Sequence, residues 1–215
     1  MPSYPIVSKA ADFKRFRQSL AELFGHLLAS AHESEALFDD TFFETLKAWI
    51  VAMSASPLRS FRHTATLEAL FLVTSLNDVH VQIRNALAAA MRQRDAEKKK
   101  GRGDKARLRE MERKVQEQKD FEAIIKSHKE DLINRSVTFE LVTCSGMITD
   151  TVLISAFRSV FVHRYRDADL SIRCDCAAEL GLWMKKYPEQ YMSGTYTTYL
   201  GWMISDTVSA IRDIP

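Results

Sequence analysis

The segment FVHRYRDADLSIRCDCAAELGLWMKKYP, Phe161–Pro188, largely decides the predicted fold. After the charged cluster His163–Asp167, apolar residues recur every three or four positions, which is the spacing of one face of an α-helix. This stripe comprises Ile172, Cys176, Leu180, Trp183, Met184 and Tyr187. The segment therefore predicts a joint between two helices, followed by an amphipathic helix that ends at Pro188 and turns Trp183 toward the core.

Helical stripes also precede this segment. They comprise Phe13, Phe16, Leu20, Leu23, Phe24 and Leu27, and then Phe42, Leu46, Trp49, Ile50 and Met53. From Pro57 to about Lys100 no helix breaker occurs, so we expect one very long helix with Ser56 as its N-cap and Pro57 in its first turn. A second long polar helix follows. The simplest geometry is an antiparallel hairpin protruding over about residues 80–125, with its tip at 101–103, followed by an irregular insertion at 127–150.

A pattern of fixed spacing recurs in the chain: a capping residue, an apolar residue five positions later and an arginine directly after it. Its three occurrences are Ser56–Phe61–Arg62, Asp167–Ile172–Arg173 and Asp206–Ile211–Arg212. We expect the first residue to cap a helix, the second to face the core and the arginine to reach the acidic cap of the neighbouring repeat. Asp167 and Asp206 are 39 residues apart, close to the ~40–47-residue period of HEAT repeats. The sequence therefore predicts a single all-α, HEAT-like helical repeat domain over residues 1–215.

Composition and motifs argue against several protein classes. The sequence contains no nucleotide-binding or zinc-protease motif, no signal peptide and no apolar run long enough for a membrane helix. Its three cysteines favour a reducing compartment over a disulfide framework. Cys174 and Cys176 lie on opposite sides of one helix, so they cannot hold one metal ion together. We expect no catalytic residue, no metal and no cofactor.

Positive charge is concentrated in one segment. Eleven basic and five acidic residues lie between Arg92 and Lys114, although the whole chain carries a formal charge of only +2. Such a segment is typical of a surface that attracts phosphate backbones, and equally of a solvated coiled coil with internal ion pairs. The basic residues around the predicted tip favour DNA backbone contact without sequence readout. The candidates there are Lys98, Lys99, Lys100, Arg102 and Lys105.

A second candidate site combines two aromatic residues with an arginine. Tyr165 and Trp202 are 37 residues apart, about one repeat, so successive joints bring them to the same rim of the array. With Arg166 they form a combination typical of peptide-binding hot spots. Core packing is an equal alternative for Trp202.

Five blocks of the sequence resemble one family. FRHTATLEAL (61–70), FVHRYRD (161–167), ELGLWMKKYP (179–188) and YLGWMISD (199–206) are similar to the stromal antigen (SA/STAG) subunits of cohesin, and FKRFRQSLAELFGHLL (13–28) is similar to the start of their conserved STAG domain. The resemblance covers nearly the whole chain and implies an N-terminal fragment of a larger subunit.

This resemblance implies an all-helical HEAT-repeat protein without enzymatic activity. It implies binding to the kleisin subunit, mostly through parts beyond this chain, and contact with double-stranded DNA. It further implies a role in cohesin loading and sister-chromatid cohesion on chromosomes in the nucleus. A helical-repeat adaptor that binds proteins without DNA is the alternative function.

The resemblance also implies particular site residues. The family docks aromatic motifs of regulators such as shugoshin on positions that match Tyr165, Arg166 and Trp202. At two neighbouring positions, this chain has Gly194 and Thr198 where animal members carry an acidic residue and a lysine. For DNA, Arg158 matches a basic family position, and Arg59 and Arg62 are further candidates.

Overall fold

The structure is a computed structural model that describes residues 4–99, 105–133, 160–192 and 194–206. Every regular element within these ranges is a helix. Two short 3₁₀ helices cover Ala11–Phe13 and Ala36–Phe38. The α-helices are α1 Phe16–Glu33, α2 Asp40–Ser54, α3 Arg59–Lys99, α4 Lys105–Ile133, α5 Phe161–Arg164, α6 Leu170–Lys186, α7 Pro188–Tyr191 and α8 Gly194–Ile204. The predicted all-α fold is confirmed.

Helices α3 and α4 form the predicted antiparallel hairpin. Lys98 Nζ near the end of α3 lies 3.0 Å from Glu112 Oε1 near the start of α4, whereas His80 Nε2, further back on α3, lies 3.2 Å from Glu122 Oε1, further along α4. The predicted tip at 101–103 lies outside the described residues. Helix α4 continues through Ile133, so the predicted irregular insertion is wrong for residues 127–133, and residues 134–150 lie outside the described part.

The core lies where α1, α2 and the first half of α3 pack together and α6 packs against α3. All six predicted stripe residues of α6 are buried, including Trp183, whose indole N–H donates to Thr74 Oγ1 at 2.7 Å. Phe13 and Leu23, for which the apolar spacing predicts burial near and on α1, are exposed.

The buried stripe of α2 differs from the predicted one. Its most buried positions are Phe43, Lys47, Ile50 and Ser54, whereas Trp49 is 67% exposed. Lys47 can occupy the buried face because its ammonium group lies 2.5 Å from Asp131 Oδ2 on α4. The buried face of α2 thus includes an ion pair and differs from the stripe that apolar residues alone predict.

The repeated pattern forms a ladder of hydrogen bonds between successive joints. Arg62 Nη1 donates to the carbonyl of Ser56 at 3.0 Å, and Arg62 Nε donates to Asp167 Oδ2 at 2.9 Å. Arg173 repeats both contacts, to the carbonyl of Asp167 at 2.8 Å and to Asp206 Oδ2 at 3.0 Å. The predicted arginine contacts are therefore confirmed for these two repeats.

Two details of that prediction are wrong. Ser56 and Asp167 are not the N-caps, because α3 begins at Arg59 and the N-cap of α6 is Asp169. Instead, the side chains of Ser56 and Asp167 accept hydrogen bonds from the backbone N–H groups of Leu58 and Asp169, just before each helix. Ile172 is fully buried, but Phe61 at the equivalent position of α3 is 53% exposed. Ile211 and Arg212 lie outside the described residues.

Candidate functional site

Two aromatic rings from neighbouring joints stack against each other. Tyr165 follows α5 directly, and Trp202 lies in the last turns of α8. Their ring centroids are 6.0 Å apart and their planes differ by 10°. Tyr165 is 5% exposed and Trp202 is 55% exposed, so the stack presents mainly the indole to solvent. The prediction that these two residues share one rim is confirmed, and Trp202 is not a core residue.

Arg166 completes this cluster. Its guanidinium carbon lies 5.2 Å from the centroid of the Tyr165 ring, a cation–π distance, and the residue is exposed. None of the described residues gives Arg166 a carboxylate partner. Burial raises the pKa of the Tyr165 phenol although Arg166 lowers it, so the hydroxyl stays neutral at physiological pH.

The three residues line an open groove of about 690 Å³, which we call the joint groove. It is lined by Tyr165, Arg166, Asp167, Ala168, Arg173, Trp202, Met203, Ser205 and Asp206. Because Asp167 and Arg173 belong to the ladder, the same hydrogen bonds that hold the repeats together also hold these two lining residues in place. Two aromatic rings, an exposed cation and lining residues held by hydrogen bonds suit a short peptide with an apolar side chain.

Sequence reasoning missed one member of the aromatic cluster. Tyr199 is buried beneath the stack, with its ring centroid 5.3 Å from that of Tyr165 and 5.8 Å from that of Trp202. Its position three residues before Trp202 places both rings on one face of α8, and this spacing could have revealed it.

The two positions that depart from the family pattern lie in the first two turns of α8. A Cβ atom added at Gly194 would meet nothing within 4 Å, so this position faces open space. Thr198 is exposed and its hydroxyl donates to the Gly194 carbonyl at 2.7 Å. Neither of these two positions carries a charge, and neither lines the joint groove.

The candidate DNA-binding residues fall into three groups. Arg158, Lys100 and Arg102 lie outside the described residues. Arg59 and Arg62 have carboxylate partners within the fold, Asp169 and Asp167 respectively.

The remaining candidates lie at the end of α3 and the start of α4. Lys98 pairs with Glu112, whereas Lys99 and Lys105 are exposed and have no carboxylate partner among the described residues. The structure does not bring these lysines together with the joint groove. It thus separates a candidate peptide site from a candidate phosphate-binding site.

Metal sites and membrane-spanning helices are absent from the part of the chain that the structure describes. There, no three His, Cys, Asp or Glu side chains come close enough to hold a metal ion. Each helix in these ranges is too short or too polar to cross a membrane. Cys174 and Cys176 are both free thiols.

Comparison with known proteins places this arrangement in one family. Residues 2–114 match the STAG domain and residues 166–214 match the Stromalin conservative domain. The chain is 35% identical over 209 residues to cohesin subunit psc3 of Schizosaccharomyces pombe, covering 97% of this chain and 19% of that protein. It is 32% identical over 209 residues to cohesin subunit SA-3 of Homo sapiens, covering 97% of this chain and 15% of that protein.

One solved structure is similar to this chain over the same fraction of its length. Cohesin subunit Scc3 from Z. rouxii superposes with a TM-score of 0.76 at 24% identity, covering 97% of this chain and 22% of that chain, which supports the fold. The chain thus spans about a fifth or less of the length of the relatives it matches. Since the STAG domain alone accounts for more than half of its residues, the chain belongs to the stromal antigen (STAG) family of cohesin subunits.

Proposed function

We propose that this chain is part of a non-enzymatic accessory subunit of cohesin and docks short aromatic peptides in the joint groove. One observation carries the docking proposal. The Tyr165–Trp202 stack leaves an indole that is 55% exposed, and Arg166, a cation without a carboxylate partner among the described residues, lies 5.2 Å from the Tyr165 ring of the same stack. An exposed tryptophan on a rigid support gains burial when an apolar side chain covers it, and Arg166 can pair with an acidic residue next to that side chain.

The relatives suggest which partners to test. Proteins named as cohesin subunits match nearly the whole chain, which supports a place in a cohesin complex on chromosomes in the nucleus. We propose the kleisin subunit as a partner of the larger protein. Regulators with aromatic motifs, such as shugoshin, are the proposed ligands of the joint groove. Since neither Gly194 nor Thr198 lines the joint groove, we propose that the choice of motif depends on the aromatic residues and Arg166.

Peptide docking is tested by fluorescence anisotropy with labelled peptides that carry one Phe or Tyr next to an acidic residue. We expect Trp202→Ala to weaken binding by about 2 kcal/mol or more, roughly 30-fold, as for a hot-spot residue. Trp49→Ala is the matched control, because Trp49 is also exposed but lies on α2, outside the groove. Equal affinities of the wild type and both variants would refute docking at this site.

We also propose that the chain contacts the DNA backbone, with the exposed lysines of the hairpin as the main support. Lys99 and Lys105 are exposed without carboxylate partners among the described residues, whereas Arg59 and Arg62 are already paired. Non-specific affinity for duplex DNA is expected near ~10⁻⁴–10⁻⁶ M at physiological salt, with a log–log salt slope of about −0.9 per phosphate neutralised.

The DNA test compares three proteins across a salt series. In one variant Lys98, Lys99 and Lys100 are replaced by Glu, and in the other Arg158 is replaced by Glu. Loss of affinity in the lysine variant alone identifies the hairpin as the DNA site, and loss in Arg158→Glu alone identifies the surface of Arg158. Absence of binding even at low salt would favour an adaptor that binds proteins without DNA.

A further inference from the structure

A buried lysine lies where the base of the hairpin meets α7, away from the residues that carry the proposed function. Lys129 on α4 is 6% exposed. Its ammonium group donates to Asn77 Oδ1 at 3.2 Å, to His80 Nδ1 at 2.8 Å and to Gln190 Oε1 at 2.7 Å. All three acceptors are neutral, since His80 must present an unprotonated nitrogen to the ammonium group.

No carboxylate among the described residues forms an ion pair with Lys129. Buried charges in proteins are usually balanced by an opposite charge, because hydrogen bonds to neutral groups compensate only part of the lost hydration. The lack of an ion pair is reflected in the pKa of the Lys129 ammonium group. Burial, followed by the nearby charge of Lys126, lowers the pKa of Lys129 to about 8, although Glu122 and Glu130 act in the opposite direction.

Lys129 borders a cavity of about 300 Å³ between α4, α7 and α8. Gln190 and Tyr196 also line it. The Tyr196 hydroxyl has no hydrogen-bond partner among the described residues, and burial raises its pKa to about 12, so it remains a donor at physiological pH. The side chain of Gln190 also forms a hydrogen bond with His80. The cavity thus offers the unused Tyr196 hydroxyl beside a cation that forms no ion pair with the described carboxylates.

We infer that this cavity is a binding site for a small phosphate or carboxylate anion, with Lys129 as the charged ligand and Gln190 and Tyr196 as hydrogen-bond donors. Gln190 allows the exchange: when its amide turns, Oε1 leaves Lys129 and the Nε2–H groups face the anion. Lys129 then trades a neutral acceptor for an anionic one, and the attraction between opposite charges is added to the hydrogen bond.

Two charged residues on the cavity wall modulate this site in opposite directions. Lys126 adds positive charge, although it also pairs with Glu122 at 2.9 Å. Glu130 brings an exposed carboxylate that repels an incoming anion. Neutralising Glu130 must therefore strengthen binding, an effect that a purely structural role of Lys129 would not produce.

The test titrates the whole chain with sodium phosphate and, separately, with sodium succinate, against sodium chloride at equal ionic strength. Binding is followed by the melting temperature and by the NMR signal of ¹³Cε-labelled Lys129, assigned with Lys129→Arg. We expect the titration midpoint of Lys129 to rise in at least one of the two anions and not in chloride. A rise in phosphate alone would identify phosphates as the ligands of the cavity, and a rise in succinate alone would identify carboxylates.

Three variants complete the test. Lys129→Met is expected to abolish anion binding, Tyr196→Phe to weaken it about tenfold, as for loss of a hydrogen bond to a charged group, and Glu130→Gln to strengthen it several-fold. If Lys129→Met does not fold, the other two variants still decide the matter. Identical responses of the wild type, Tyr196→Phe and Glu130→Gln, or equal effects of phosphate, succinate and chloride, would overturn the inference. Trp202→Ala should bind the anion normally, so failure of peptide docking is distinguishable from failure of this site.

Discussion

Replacing Asp167 by Ala tests the ladder that holds the repeats together. The Asp167 side chain is buried, and its Oδ2 accepts from Arg62 Nε at 2.9 Å and from Arg164 Nη1 at 2.7 Å. Its Oδ1 accepts the backbone N–H of Asp169 at 2.9 Å. The substitution removes one carboxylate, so two guanidinium groups and one backbone N–H lose their hydrogen-bond acceptor.

The expected loss follows from these contacts. Hydrogen bonds to charged groups contribute about 1.5–3 kcal/mol each, and removing one partner of a buried ion pair typically costs about 3–5 kcal/mol. The three contacts do not simply add, because Arg62 keeps its hydrogen bonds to the carbonyls of Ser56 and Pro57 at 3.0 and 3.2 Å. We therefore expect Asp167→Ala to lower the free energy of unfolding by about 3–5 kcal/mol.

Urea denaturation at pH 7, followed by far-ultraviolet circular dichroism, measures this loss. Glu110→Ala is the control, since Glu110 also pairs with an arginine, Arg113, but on an exposed surface, where we expect little change. A loss of less than about 1 kcal/mol for Asp167→Ala, as for a surface pair, would show that the ladder does not stabilise the repeats.

The same carboxylate makes the ladder sensitive to acid. Burial by itself would raise the pKa of Asp167, but hydrogen bonds from the Asp169 backbone, Arg62 and Arg164 outweigh it and hold the pKa below its usual value. A lowered folded-state pKa contributes stability above the unfolded pKa of ~3.9, and this stability is lost as the pH falls through the folded-state pKa. The stability difference between the wild type and Asp167→Asn should therefore be constant near neutral pH and shrink below about pH 4.

Two further predictions follow from burial. Ile172→Ala should lower the free energy of unfolding by about 2–5 kcal/mol, because Ile172 is buried. Phe61→Ala at the equivalent repeat position should lower it much less, because Phe61 is 53% exposed. Equal losses of the two variants in urea denaturation would contradict this prediction. Cys176 should react with a thiol reagent only after unfolding, because burial excludes the reagent and raises the pKa of the thiol well above its usual value, whereas the partly exposed Cys174 should react in the native state. Labelling followed by peptide mapping distinguishes the two cysteines, and fast native labelling of Cys176 would refute the packing of α6.

The sequence predicts those contacts that depend on local spacing and on charge complementarity. Arg62 and Arg173 reach their aspartates because each arginine lies at a fixed offset from a helix start, and the offset can be read directly from the order of the residues. The stack of Tyr165 on Trp202 is predictable for the same reason, since one repeat separates them. Periodicity thus predicts the relation between equivalent positions in successive repeats.

Periodicity fails where a long-range contact overrides the local pattern. The buried face of α2 contains Lys47, which a hydrophobic stripe excludes, because Asp131, 84 positions away in the chain, neutralises it. Phe61 has the same place in the pattern as Ile172 but is 53% exposed, so the pattern alone does not decide which of the two is buried. The cavity beside Lys129 cannot be predicted from the sequence either, since residues of α4, α7 and α8 come together around it only in the folded chain.

The ladder also decides which cations are available for DNA. Arg62 and Arg59 are already engaged with Asp167 and Asp169, so binding a phosphate would exchange one anion for another and yield little net gain. Lys99 is exposed and free of such a partner among the described residues, so it can neutralise a phosphate and release a counterion. Arg62→Glu should therefore lower the free energy of unfolding, whereas Lys99→Glu should leave it unchanged and reduce the salt slope of DNA binding by about 1. A stable Arg62→Glu protein with a reduced salt slope would mean that the ladder opens to bind DNA, and the division between structural arginines and DNA-binding lysines would have to be abandoned.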